Sequence, residues 1–400
     1  MVNYVFLSVY FYSVPNLRFS QFIEPWNNYI VSELLTTFPT NSLSWDQLVE
    51  NQDSSLKNLH YGLIHNGFET TCISGENQLF PYIKHSFIPT KYALIQNGDL
   101  ILADASEDRK DVGRPVEMLD IGNQKIVSGL HTIHARNKTD LIVNGFKGFY
   151  FQSSAMKQQI FKIANGSKIY GISSSAFSEL KMFIPETQEQ KKIVDLMIKI
   201  EERIQTQSKI IDDYNSLKMG IYNWMFKENC ADYKLKQLAN IVKGDQINNN
   251  QLLSNGSYYM MNGGTLPSGY LDSYNVSENT ISISEGGNSC GYVQFNKERF
   301  WSGGHCYTIQ NVNPLIVENK YLYHYLKHKE KEIMNLRIGT GLPNIQKKDL
   351  ENFTIFVPNL LIQRKNLALF EMLDEKICIL NEELERLEKQ KKYLLRNLFI

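Results

Sequence analysis

The sequence predicts a mixed α/β (α+β) chain: two globular domains of short strands and helices, separated by two long antiparallel coiled-coil helices and related by an approximate two-fold. Three observations predict it. A long segment occurs twice. Each copy ends in a heptad-patterned run of a length that belongs to coiled coils. The rest of the chain breaks into short apolar runs bounded by Gly, Asn and Asp turn signals.

The duplication organises the chain. Gly166–Phe226 aligns with Gly339–Phe399 without a gap, at an offset of 173 residues. Pro185 then meets Pro358, Gln190 meets Gln363, Glu202 meets Glu375 and Lys218 meets Lys391. The unit is far longer than a solenoid repeat and occurs only twice, so it reads as a duplicated half-protein. The expected division is 1–184 for the first domain (with 1–13 a possible extension), 185–226 for a central spacer helix, 227–357 for the second domain and 358–400 for a C-terminal spacer helix.

Each helix is specified by its apolar seam. Met197, Ile200, Ile204, Gln207, Ile211, Tyr214, Lys218, Ile221 and Met225 recur at steps of three and four in the first copy. Phe370, Leu373, Ile377, Leu380, Leu384, Leu387, Leu394 and Leu398 do so in the second. Lys218 and Lys391 fill the same seam slot. Such a residue either fixes register at some cost in stability or snorkels its charge to water. Thr187 and Gln190 suggest a capping box, and Asn359 a cap after Pro358. About 40 residues at 1.5 Å each give a rod of roughly 60 Å. The second domain joins the end of one helix to the start of the other. Paired helices must therefore run antiparallel, with the first domain at the far end.

Within the domains, Tyr92–Ile95 and Leu100–Ala103 around Asn97-Gly98-Asp99 read as strands, as does Thr280–Ser284 before Gly286-Gly287. Helical spacing returns at Phe151–Ile163 and Tyr321–Asn335. Tyr29–Leu34 resembles Tyr233–Leu238, so both domains open alike.

Composition excludes little. Lys+Arg and Asp+Glu both total 42. Residues 1–183 hold 15 basic and 16 acidic side chains, and 227–357 hold 13 and 12. Any nucleic-acid role must rest on local patches or on a partner's basic surface. The five cysteines form no C-x-x-C pair, which argues against zinc and fits a reducing cytoplasm. The apolar start, Met1 to Val14, lacks a signal peptide's flanks and is too short to span a bilayer.

Catalytic signatures are missing. The only Asn-Pro, Asn313-Pro314, is followed by Leu315 and does not make a methyltransferase tetrad. There is no phosphate-binding G-x-x-x-x-G-K-[ST]. His131 and His134 would need further ligands to hold a metal. Asp104, Glu107, Asp108 and Asp111 near Arg109, Lys110 and Arg114 read as a mixed-charge loop ahead of a metal nuclease.

Residues suited to reading DNA are present. Arg109, Lys110 and Arg114 share one loop, and His131, His134 and Arg136 share one strand-like run. Arginine binds guanine bidentately, and either cation holds phosphate. In the second domain Lys243, Gln246, Asn248 and Asn249 concentrate side chains that read adenine or phosphate. Tyr258, Tyr259 and Asn262 precede Gly263-Gly264, where backbone admits close approach. Arg337 and Lys347 flank the second Gly turn.

Several stretches resemble one family. Val14-Pro15-Asn16-Leu17-Arg18-Phe19 with Phe22 and Trp26 is similar to its opening V-P-x-L-R-F…F…W. Ile95…Gly98-Asp99-Leu100 is similar to its I-x-x-G-D-[IL] turn, and Tyr259…Gly263-Gly264 to its Y-x-x-x-G-G. Gly339-Thr340-Gly341…Ile345, Val357-Pro358 and Gln363 follow its G-[ST]-G…I…[IV]-P…Q pattern. Gly166, Ile172, Ile184-Pro185 and Glu189-Gln190 repeat that pattern in the first copy. The order and double occurrence resemble the DNA-specificity subunits of type I restriction-modification systems. Residues 1–13 precede the usual opening, and Ile362-Gln363 stands where the family often has Glu-Gln.

The resemblance implies a non-catalytic cytoplasmic subunit without cofactors of its own. Each domain is expected to bind one half of a bipartite, asymmetric DNA target. The helices act as the ruler between halves and as the docking face for two modification subunits. Those subunits bind adenosylmethionine and methylate adenine. Restriction subunits add ATP- and Mg-dependent cleavage. The competing expectation is a coiled-coil scaffold or adaptor without specific DNA binding.

Overall fold

A computed structural model describes residues 14–51, 54–77, 79–226, 230–339, 341 and 343–400. The chain divides into two compact units. One comprises the residues up to Ser208 with Glu382–Ile400, the other Lys209–Asn381. The units cut across the division read from the sequence, because each long helix contributes to both cores. The possible extension at 1–13 lies outside the described residues.

In the first unit, β1 (Asn27–Ile30) pairs antiparallel with Lys181–Ile184, the strand that runs into Pro185. A helical turn, Val31–Leu34, follows β1. The main sheet has five strands: Leu35–Phe38, Thr132–Asn137, Leu100–Ala103, Pro115–Leu119 and Cys72–Ser74, in that spatial order. Leu100–Ala103 is buried throughout. Its entry turn needs a glycine: Gly98 has φ +81, and a Cβ there would meet the Asn144 side chain at 2.1 Å. Tyr92–Ile95, expected as a strand, forms only an isolated bridge from Leu94 to Val127.

The second unit repeats the plan. Ala231–Lys234 pairs antiparallel with Thr354–Val357, which runs into Pro358, and a helical turn at Leu235–Leu238 follows. Its four-stranded sheet has Asn240–Lys243, Cys306–Gln310, Thr280–Ser284 and Val293–Asn296 in order. This is the first sheet's order without its fifth strand. The expected helices also form, but each is broken. Phe146–Gln152 and Ser154–Ile163 are separated by Ser153, whose hydroxyl caps Met156 N–H. Asn319–His328 and Glu330–Met334 are separated at Lys329.

The long helices are Thr187–Met225 and Leu360–Asn397. In the first unit Ile193, Val194, Met197 and Ile200 share a core with Leu394, Leu395, Leu398 and Phe399. Lys391 Nζ reaches Glu201 Oε1 at 2.6 Å. In the second unit Tyr222 packs edge-on against Phe370 at 4.3 Å, and Lys218 bonds Asp374. From Lys218 to Tyr222 one helix advances while its partner retreats from Asp374 to Phe370, so these segments are antiparallel. Ile200, Ile211 and Leu373 are buried, and Ile204, Lys218, Ile377, Leu384 and Lys391 are half-buried. Both seam lysines thus pair with an acid on the facing helix. Those acids, Glu201 and Asp374, are themselves equivalent at the repeat offset.

Glutamines at the helix starts do something other than close a capping box. Gln190 is fully buried. Its amide donates to Pro185 O and Leu141 O, each at 2.8 Å, and accepts from Val143 N–H at 2.9 Å. Gln363 repeats this with Pro358 O, Ile316 O and Glu318 N–H. Each therefore bolts its helix to its own domain. Asn359 does cap, accepting from Ile362 N–H at 3.0 Å. Arg18 binds the buried Glu189 through two bonds of 2.8 Å, and Leu17 N–H donates to Asn397 O. The opening motif is thereby tied to both long helices within the first unit.

Candidate nucleic-acid interface

The expected contacts of the first domain are largely spent inside it. Arg109 stacks on Phe161, 4.3 Å from the ring centroid, and lies over Tyr170 at 5.9 Å. Arg114 donates to His65 O at 2.6 Å and is half-buried. Only Lys110 of that cationic trio is exposed, between the acids of its own loop. The two arginines are better described as fastening the loop to its neighbours than as reading a ligand.

His134 requires the same correction. It is fully buried, with Nε2 at 2.7 Å from Asp99 Oδ2. Arg136 grips Asp99 through two bonds of 2.7 Å and lies over Phe38 at 4.5 Å. Asp99 is fully buried, and the bonds from Arg136, His134 and Gln96 N–H outweigh its burial and hold its carboxyl below the usual range. The Gly98-Asp99 turn thus anchors two strands, and its partners are structural.

His131 is half-exposed, with φ +54 and Nδ1 at 3.3 Å from Asp104. It lines a cleft of about 590 Å³ with Trp45, Tyr61, His65, Glu107 and Asp111. His65 Nδ1 lies 2.7 Å from Asp111 Oδ2, a bond that raises the imidazole's pKa against the opposing effect of burial. His60, behind Tyr61, is pushed down to about 4 by burial and the neighbouring His131. The carboxylates Asp104 and Asp111 are thus matched by histidines. Among the described residues no three His, Cys, Asp or Glu side chains are grouped to hold a metal.

The second domain gathers more of its predicted residues. Lys243 and Asn262 line one cleft of about 600 Å³ with Ser268, Glu285, His305, Asn344 and two glycine pairs. Lys243 ends the Asn240–Lys243 strand, and its Nζ bonds Glu285 Oε1 at 2.5 Å. Asn262 Oδ1 accepts from His305 N–H at 3.0 Å. Gln246 and Asn248 are exposed nearby in sequence, while the Asn249 side chain lies outside the described residues. Tyr258 packs on Tyr274 at 5.0 Å. Tyr259 stacks on Phe300 and donates to Asn296, and burial pushes its hydroxyl up to about 12, so it supports the fold. Arg337 and Lys347 are exposed, Lys347 lying 3.7 Å from Glu351. In the turn between them, Thr340 and Leu342 lie outside the described residues.

Sequence reasoning missed Glu285 and His305. A signal existed. The three Gly-Gly pairs of the chain, 263–264, 286–287 and 303–304, all fall in this domain. The fold brings them to one end of its strands, where Gly303-Gly304 leads directly into His305.

Two like units, each a sheet domain built onto an antiparallel helix segment pair, define a duplicated two-domain class of protein. A family model described as the type I restriction modification DNA specificity domain matches residues 83–213 and 227–389, and the chain belongs to that family. A putative type I specificity subunit of Mycoplasma pneumoniae is 34% identical over 152 residues, 38% of this chain and 40% of that one. The specificity subunit of a type I restriction enzyme of Methanocaldococcus jannaschii is 31% identical over 124 residues, 31% of this chain and 29% of that one. The matched segments thus span less than half of these relatives. In fold, the crystal structure of a type I restriction-modification S subunit from M. genitalium superposes with a TM-score of 0.63 at 16% identity, covering 97% of this chain and 99% of that one. Among the described residues no helix is long and apolar enough to cross a membrane.

Proposed function

We propose that this chain is the DNA-specificity subunit of a type I restriction-modification enzyme, with one DNA half-site read by each domain. The observation that carries the reading is the duplication of a whole unit whose two copies share topology but not surface chemistry. Sheet order, helix-start glutamines and seam ion pairs recur in both units. The clefts share a place and a His–carboxylate pair, His131–Asp104 in one and His305–Glu285 in the other, but their walls differ: one carries Trp45, Tyr61 and His65, the other two glycine pairs and Lys243. Like scaffolds with unlike reading surfaces suit a bipartite, asymmetric target.

The chain itself is non-catalytic in this account. Two modification subunits dock on its helices, bring adenosylmethionine and methylate adenine, with the base flipped into their own site. Restriction subunits bring ATP and Mg for cleavage. The assembly works in the cytoplasm. The helix pair sets the number of base pairs between half-sites. Near-neutral charge fits a complex whose partners supply much of the phosphate contact.

Methylome sequencing of a host with and without the gene, alongside its modification genes, tests this. A split adenine-methylation motif should vanish on deletion. An unchanged methylome would reduce the chain to a scaffold.

A further inference from the structure

The glycine-walled cleft of the second domain has a floor whose chemistry is unusual for a DNA-facing surface. Glu285 is only 8% exposed. Its Oε1 accepts from Lys243 Nζ at 2.5 Å and from Tyr307 O–H at 3.0 Å. Among the described residues nothing donates a hydrogen bond to its buried Oε2. The His305 Nδ1 stands 3.7 Å from it, on an imidazole that is 62% exposed. Lys243 is itself half-exposed. The rim therefore offers two donors, and beneath them lies one unfilled acceptor.

The walls favour close approach. Gly263 and Gly287 have φ of +82 and +76, so both are glycine by backbone need. A Cβ on Gly287 would meet nothing within 4 Å, so this wall is open space bounded by backbone. A phosphate would set its charge against the unpaired carboxylate oxygen. A base edge would not. The major-groove edge of a G·C pair presents one donor, the cytosine amino group, beside two acceptors, guanine O6 and N7. One acceptor beside two donors is the complement of that pattern.

We propose that Glu285 is a specificity-determining residue of the second domain, accepting the cytosine amino group of a G·C pair while Lys243 and His305 face the guanine. This rests on the reading of the domain as a half-site reader. Oε2 is buried as the side chains stand, so this pairing needs a neighbour to shift, and the exposed His305 ring 3.7 Å away is free to do so within picoseconds to nanoseconds.

The test is the methylome of a host carrying the modification genes and either the wild-type chain or Glu285→Gln. Glutamine keeps an acceptor for Tyr307 and Lys243 but turns half of the carboxylate into a donor. One G·C position in one half-site should relax by about 10-fold or more. The other half-site and the spacer should stay as they were, while the melting temperature should fall slightly, because the buried amide gains no acceptor and the Lys243 pair loses its charge. His305→Ala, at an exposed position, should relax the same base pair and covers the case in which Glu285→Gln does not fold. An unaltered motif in both variants overturns the proposal. So does relaxation at a position that is not G·C, or equal loss of both half-sites. A wild-type methylome with no split motif would instead remove the functional reading beneath it.

Discussion

Replacing Gln190 by leucine removes three hydrogen bonds and leaves three backbone groups behind: Pro185 O, Leu141 O and Val143 N–H. The Pro185 contact is buried, and the other two are partly so. A stranded buried group costs about 1–3 kcal/mol, and a partly exposed one costs about 1 kcal/mol or less because water reaches it. The sum is about 3 kcal/mol. For a unit of this size that lowers the melting temperature by about 6–12 °C. Gln363→Leu strands the same three kinds of group in the second unit and should cost about as much. The sites share no partner, so the double variant should show the sum of the two losses. Calorimetry measures the transitions. Hydrogen exchange resolves which unit opens, with protection lost around Leu141–Val143 in one variant and Ile316–Glu318 in the other. A loss below about 1 kcal/mol in either variant would refute the reasoning that these amides bolt helix to domain.

Other consequences follow from buried charge. Arg18→Ala leaves the buried Glu189 carboxylate unpaired and should cost about 3–5 kcal/mol in the first unit, read by denaturant unfolding. His60 and His324 are both buried and held near 4, below the ordinary 6.5. Desolvation is the chief cause in each. Their folded forms resist a proton that the unfolded chain accepts, so the stability they support is complete above about pH 6.5. It is lost as the pH falls toward 4, at up to about 1.4 kcal/mol per pH unit for each group. Melting curves at pH 7 and pH 5 should differ accordingly, and His324→Phe should shrink the difference. Arg109→Ala should lower stability through its lost packing on Phe161 while leaving the methylated sequence unchanged; a changed motif would restore Arg109 to the reading surface.

The parts of the fold that were legible are those written in local periodicity. The offset of 173 residues foretold two like units, and the seam positions foretold which helix faces are covered. Gln190 and Gln363 stood out by their equivalence, but their role did not, because a capping box and a clamp onto a distant carbonyl share one local sequence. His134 and Arg136 looked available because strand alternation does not say which face is inside. Asp99, a turn residue 35 positions from His134, decided it by supplying a buried counter-charge. Arg109 was lost to Phe161 and Tyr170 for a similar reason: aromatic faces across a domain attract a guanidinium as well as phosphate does. Glu285 follows one strand and His305 precedes another, and they become neighbours only when those strands pair, Ser284 opposite Cys306.

Hydroxyl-radical footprinting of the chain with its modification subunits, on a duplex carrying the methylated motif, tests the central claim most directly. Two protected patches should flank an interval of fixed length, and Glu285→Gln should weaken protection in one patch alone. A single unbroken footprint, or one that weakens throughout with that change, would contradict a chain that reads DNA with two independent domains.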